Sequence, residues 1–120
     1  MTSALIVDDE PFLHEMYRDI LELMDVSVAA SASDGGEAVG LYDSLDPPPT
    51  IVLMDHRMPG MSGLEASRRI LEKHPDAKIL FVSADTTVVD EALDAGAMGF
   101  LVKPFTIAAL RKAISDVLDG

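Results

Sequence analysis

Five short, largely apolar runs mark the chain at residues 4–7, 26–30, 51–54, 79–82 and 98–102, and the segments between them have helical periodicity. Pro11 follows Asp9-Glu10 and suits the first turn of a helix, after which Phe12, Met16, Ile20 and Leu23 recur at spacings of three and four. Asp34 with Glu37, and Ser62 with Glu65, have the spacing of capping boxes that start helices. Ile70 and Leu71 continue the second of these helices until Pro75 stops it. Val88, Val89, Ala92 and Leu93 predict a shorter helix closed by Gly96, and Ile107, Leu110, Ile114, Val117 and Leu118 predict the last.

Strands that alternate with helices along the whole chain predict a parallel sheet covered on both faces. The runs are continuous rather than alternating, which is the pattern of strands buried on both sides. At 120 residues the chain suits one compact domain. No run approaches the eighteen or so apolar residues that a membrane helix needs. Pro47-Pro48-Pro49 reads as a stiff, extended spacer entering the third strand.

Charge changes the picture in one half of the chain only. The net charge is −12, yet residues 1–55 carry twelve acids against Arg18 alone, while residues 56–120 carry nine acids against eight bases. Such a chain repels nucleic acid and anionic membranes and favours a divalent cation or a basic partner patch. Zero cysteines exclude disulfides and thiolate metal sites. The start of the chain has no secretory pattern, so a cytoplasmic protein is expected.

The candidate chemistry lies where the runs stop. Asp8 and Asp9 follow the first run, Asp55 the third and Lys103 the fifth, with Pro104 next to it. In open parallel sheets ligands bind beyond the carboxyl ends of the strands. Side by side, these strands would bring three carboxylates and an ammonium to one edge, a combination suited to a cation and a phosphoryl group. Each residue alone has a plainer use: Asp is a favoured helix cap, and a single Lys at a strand end is usually solvated.

Together the motifs Val7-Asp8-Asp9-Glu10, Asp55-His56-Arg57-Met58-Pro59-Gly60 with Gly63, Ser83-Ala84, Ala95-Gly96-Ala97 and Lys103-Pro104-Phe105 resemble the response-regulator receiver domain of two-component signalling, over essentially the whole chain. The resemblance implies a flavodoxin-like (βα)5 fold, doubly wound around a five-stranded parallel sheet of order 2-1-3-4-5. It implies one receiver domain over residues 1–120, without an output domain in this chain. Asp55 would accept a phosphoryl group from a kinase phosphohistidine. Asp8, Asp9, Asp55 and the backbone carbonyl of Arg57 would hold Mg2+, with Mn2+ as a substitute. Lys103, Ser83 and Ala84 would contact the phosphoryl group, and the family places a cis peptide between Lys103 and Pro104. Ser83 and Phe100 would be the switch pair, with Phe100 in place of the commoner Tyr. Arg57 and Asp85 would pair across the mouth of the site and slow attack by water.

The resemblance also implies partners: a sensor histidine kinase or phosphotransfer protein, and a downstream protein target at the face of the fourth helix, fifth strand and fifth helix. It implies a regulatory domain that catalyses its own phosphorylation and dephosphorylation rather than an enzyme with independent turnover. An aspartyl-phosphate hydrolase would carry a second Asp where Arg57 stands. A flavodoxin-like cofactor binder would need Gly/Ser/Thr-rich loops after the first and third strands. A degenerate receiver, acting only as a binding module, would lack one of Asp8, Asp9, Asp55, Ser83 or Lys103. His14, His56 and His74 share no metal-binding spacing and read as surface or packing residues.

Overall fold

The computed structural model describes residues 1–120. Its strands are β1 (Ser3–Val7), β2 (Ser27–Ala32), β3 (Ile51–Met54), β4 (Ile79–Ser83) and β5 (Gly99–Val102). The helices between them are α1 (Pro11–Leu23), α2 (Gly35–Ser44), α3 (Gly63–Lys73), α4 (Val89–Ala95) and α5 (Ile107–Asp119), with a single 3-10 turn, Thr86–Val88, leading into α4. All pairings are parallel and the order is β2-β1-β3-β4-β5, as expected of a doubly wound domain.

Successive residues of a strand face opposite sides of the sheet, so each central strand supplies two cores. Leu5, Val7, Val52, Met54, Ile79 and Phe81 pack with α2, α3 and α4. Ala4, Ile6, Ile51, Leu53, Leu80 and Val82 pack with α1 and α5. Every residue of β3 and β4 is buried, and this double burial is why β3 and the first four residues of β4 are unbroken apolar runs. The edge strands differ: β2 and β5 are only partly buried, which permits Ser27 and Ser31 in β2 and weakens the apolar signal there.

Helix starts follow the predicted signals, with a difference in how the capping boxes close. Asp34 accepts from the Glu37 backbone N–H at 2.8 Å, but Glu37 bonds back to the Ser33 N–H, also at 2.8 Å, one residue before the cap. Ser62 accepts from the Glu65 N–H at 3.2 Å, while the Glu65 carboxylate turns instead to Arg69 at 3.0 Å. Pro11 occupies the first turn of α1, whose cap residue Glu10 makes no side-chain capping bond. Gly96 closes α4 with φ of 116°, a left-handed conformation that side chains with a Cβ avoid. Cis peptides precede Pro47 and Pro104.

Candidate functional site

Backbone bonds beyond the strands set the site residues in place. The Asp8 N–H donates to Ala32 at 3.1 Å, the Asp55 N–H to Val7 at 3.0 Å and the Lys103 N–H to Ser83 at 3.0 Å. Each extends a ladder by one residue, so Asp8, Asp55 and Lys103 stand as rigidly as the strands they follow. Asp8 and Asp55 come from adjacent β1 and β3, where the chain winds off in opposite directions and doubly wound sheets open a crevice.

Within that crevice, carboxylate oxygens of Asp8, Asp9 and Asp55 lie within 4.8 Å of one another. Lys103 Nζ is 2.8 Å from Asp8 Oδ2 and 3.5 Å from Asp55 Oδ2. The other Asp8 oxygen accepts from the Glu10 N–H at 3.0 Å, and Asp55 Oδ1 accepts from the His56 N–H at 2.8 Å. Asp8 and Asp55 are buried, whereas Asp9 is exposed. Burial pushes the Asp55 carboxyl above its usual range; Lys103 opposes the shift and Asp8 reinforces it. One ammonium cannot neutralise three carboxylates. The donor set is all oxygen, partly dry and open on one side, which fits a hard cation that keeps waters and phosphoryl oxygens in its shell.

The crevice opens into a cleft of about 530 Å³ lined by Asp9, Glu10, Asp55, Arg57, Ser83, Ala84, Asp85, Thr86, Thr87 and Lys103. Arg57 Nε and Asp85 Oδ2 meet at 3.1 Å across its mouth. Asp85 is held from its other oxygen by the backbone and hydroxyl of Thr87, and hydrogen bonds from Thr87 and then Arg57 lower its pKa to about 2. The buried Ser83 hydroxyl accepts from the Asp85 N–H at 3.1 Å, which leaves its own proton free. Ala84, beside it, is exposed. Phe100 stacks on the fully buried Phe81 with ring centroids 5.7 Å apart.

Thr86 and Thr87 lie outside the sequence motifs, although Asp85 two residues before Thr87 has the pattern of a cap, and Asp85 caps the 3-10 turn. Of the two uses expected for His14, packing is the one observed, for the side chain is half-buried and its Nε2 bonds the Asp8 carbonyl, tying α1 to the turn above it. Gly63 belongs to the motif that follows Asp55 because no side chain fits there. An ideal Cβ there would stand 1.9 Å from the Asp55 carbonyl oxygen.

A doubly wound sheet that gathers three carboxylates and a lysine at its switch point has the charge and geometry suited to a cation and a phosphoryl group. Residues 4–115 match the model of the response regulator receiver domain. The chain belongs to that family. It is 42% identical over 116 residues to the chemotaxis protein CheY of Thermotoga maritima, covering 95% of each chain. It is 39% identical over 120 residues to protein CcdB of Bacillus subtilis, covering 98% of each. Among solved structures it superposes on a chain of the CheX-CheY-BeF3-Mg+2 complex from Borrelia burgdorferi with a TM-score of 0.92 and 31% identity, covering 97% of this chain and 88% of the other. The fold and family expected from the motifs are both observed. The chain is thus a regulatory receiver domain of two-component signalling, and none of its helices is long and apolar enough to cross a membrane.

Proposed function

We propose that this chain is a phosphorylation-dependent switch in which Asp55 takes a phosphoryl group from the phosphohistidine of a sensor kinase or phosphotransfer protein. The observation that carries this reading is the meeting of Asp8, Asp9 and Asp55 within 4.8 Å, with Lys103 bridging two of them. An Asp55 oxygen attacks phosphorus, the bond from phosphorus to the imidazole nitrogen breaks, and the nitrogen keeps the electron pair. The domain supplies positioning and charge for its own modification and for its later hydrolysis.

Asp8, Asp9, Asp55 and the Arg57 carbonyl are the residues that would hold Mg2+, and Mn2+, with the same liking for oxygen, is the expected substitute. When bound, the cation supplies positive charge to the phosphoryl oxygens. Lys103 turns toward those oxygens, the Ser83 proton is donated to one of them, and Ala84 leaves room for them. The solved CheX-CheY complex named above contains BeF3 and Mg, which supports the same use of this site.

Output goes with the α4-β5-α5 face. Leu93, Met98, Val102 and Ile107, in or beside these elements, expose 45%, 42%, 44% and 56% of their surface and offer a partner apolar side chains to cover. Phe100 lies in β5 between this face and Ser83, so movement of the Ser83 hydroxyl and the Phe100 ring is the means by which the site biases partner affinity. A cytoplasmic location accompanies this reading.

Intact mass spectrometry after incubation with acetyl phosphate tests the chemistry. The expected result is a gain of one phosphoryl group that requires Mg2+ and is absent in Asp55→Asn. No gain in the wild type would leave a binding module in place of a phosphorylated switch.

A further inference from the structure

Asp9 supplies one of the three carboxylates of the cluster, yet it is exposed and no neighbour holds its side chain. Where its carboxylate points is therefore decided by the backbone on either side. The two peptide planes that flank its Cα set its φ and ψ. The plane after Asp9 is held by the Glu10 N–H, which donates to Asp8 Oδ1 at 3.0 Å. The plane before it carries the Asp8 carbonyl, which accepts from His14 Nε2. A carbonyl oxygen only accepts, so Nε2 is a protonated ring nitrogen. With both planes held, the Asp9 Cα–Cβ bond has one direction, toward the cleft that Asp9 lines with Asp55 and Lys103.

His14 is well placed to keep that plane still. It stands in the first turn of α1, where its own N–H donates to the Glu10 carbonyl at 3.4 Å and the Leu13 N–H to the same oxygen at 3.1 Å. Helical side chains lean toward the N-terminus of their helix, so the ring reaches back over the turn that precedes it. The helix itself is anchored by the buried Leu13, Tyr17, Ile20 and Leu21. We propose that His14 is a positioning residue for the cation site: its ring fixes the peptide between Asp8 and Asp9 and so aims the Asp9 carboxylate before a cation arrives. This rests on the reading above that Asp8, Asp9 and Asp55 hold Mg2+. A carboxylate free to wander must be ordered on binding, and ordering it beforehand removes that cost. His14 acts through the backbone and touches neither the cation nor the phosphoryl group.

His14→Leu keeps a side chain of similar bulk but cannot donate, whereas His14→Gln offers an amide N–H at much the same reach as Nε2. Both replacements are good helix formers and the position is half-buried, so both proteins are expected to fold. Mg2+ is titrated into each folded protein and followed by the NMR amide shifts of the Asp8-Asp9-Glu10 turn. His14→Leu is expected to bind Mg2+ about tenfold more weakly, the lower end of what losing an outer partner costs a metal site, and His14→Gln to bind as the wild type does. A second readout needs no metal. The coupling between the amide proton and Hα of Asp9 reports its φ, and in His14→Leu it is expected to move toward the averaged value of a flexible chain. A histidine that served stability alone would lower the melting temperature of His14→Leu and leave the Mg2+ affinity of the folded protein as it was. That result, an unmoved Asp9 coupling, or a His14→Gln that binds as weakly as His14→Leu would each overturn the role given to His14. Failure of the wild type to bind Mg2+ would overturn the cation reading itself.

Discussion

Lys103 Nζ lies 2.8 Å from Asp8 and 3.5 Å from Asp55, so one ammonium is shared by two buried carboxylates from different strands. The closer contact is with Asp8. Asp55, the proposed phosphoryl acceptor, is left incompletely neutralised, and burial raises its pKa. A carboxyl whose folded pKa lies above its unfolded value adds stability while protonated and loses it as pH rises through the folded value. Asp55→Asn, which cannot ionise, is therefore expected to melt higher than the wild type at neutral pH without Mg2+. The difference should shrink as pH falls and Asp55 takes up its proton. Melting curves across pH check this, and a constant difference would show that ionisation of Asp55 is not the cause.

The same excess of negative charge predicts a response to metal. A ligand that binds only the folded form stabilises it by about 2.7 kcal/mol when present at a hundredfold its dissociation constant. Mg2+ should raise the melting temperature of the wild type. Asp9→Asn removes the exposed carboxylate that faces the cleft and should abolish most of that rise while changing the metal-free melt little, because the Asp9 side chain is exposed and holds no other residue in place. An equal rise in both proteins would place the cation elsewhere.

Much of this site is legible in the sequence because it sits at strand ends. Asp8, Asp55 and Lys103 each follow an apolar run, and a strand ends where its run ends, so their meeting follows once the strands are parallel and adjacent. The Thr87 bonds to Asp85 and the His14 bond to the Asp8 carbonyl are not legible in that way. The first depends on a short 3-10 turn with no periodicity, and the second on side-chain direction in the first turn of a helix, where spacing says only which face a residue takes. The edge strand β2 shows a further limit, for half-burial admits serines and blurs the run at 26–30, which in the structure is Ser27–Ala32.

The Arg57–Asp85 pair spans the mouth at 3.1 Å, with Arg57 largely in solvent and Asp85 held by Thr87. If it hinders water, Arg57→Ala and Asp85→Ala should each shorten the lifetime of the phosphorylated form. Water screens the pair on the Arg57 side, so the expected change is at most about fivefold. The pKa of Asp85 is depressed to about 2, so its contribution is present above the ordinary carboxylate range and is lost only as pH falls through about 2. The ratio of variant to wild-type lifetimes should therefore be flat between pH 5 and pH 8. Unchanged lifetimes would leave two charges with no gating role.

Two glycines in helices α2 and α3 should respond in opposite ways to the same methyl group. At Gly63 a Cβ would fall 1.9 Å from the Asp55 carbonyl oxygen and 2.9 Å from the His56 Cα, both backbone atoms that cannot swing aside. The Gly63 N–H also donates to the His56 carbonyl at 2.9 Å, so the helix start is locked onto the segment that carries the phosphoryl acceptor. Gly63→Ala must push α3 away from that segment, and a cost of at least about 3 kcal/mol is expected, the upper range for overpacking. Gly40 is exposed in the interior of α2 with nothing within 4 Å of its would-be Cβ. Gly40→Ala removes backbone freedom from the unfolded chain at no steric cost and should stabilise by ~0.5–1 kcal/mol. Urea denaturation of the two variants measures both values. If Gly63→Ala proves as stable as the wild type, the close approach of α3 to Asp55 is wrong, and with it the account of how the acceptor is held still.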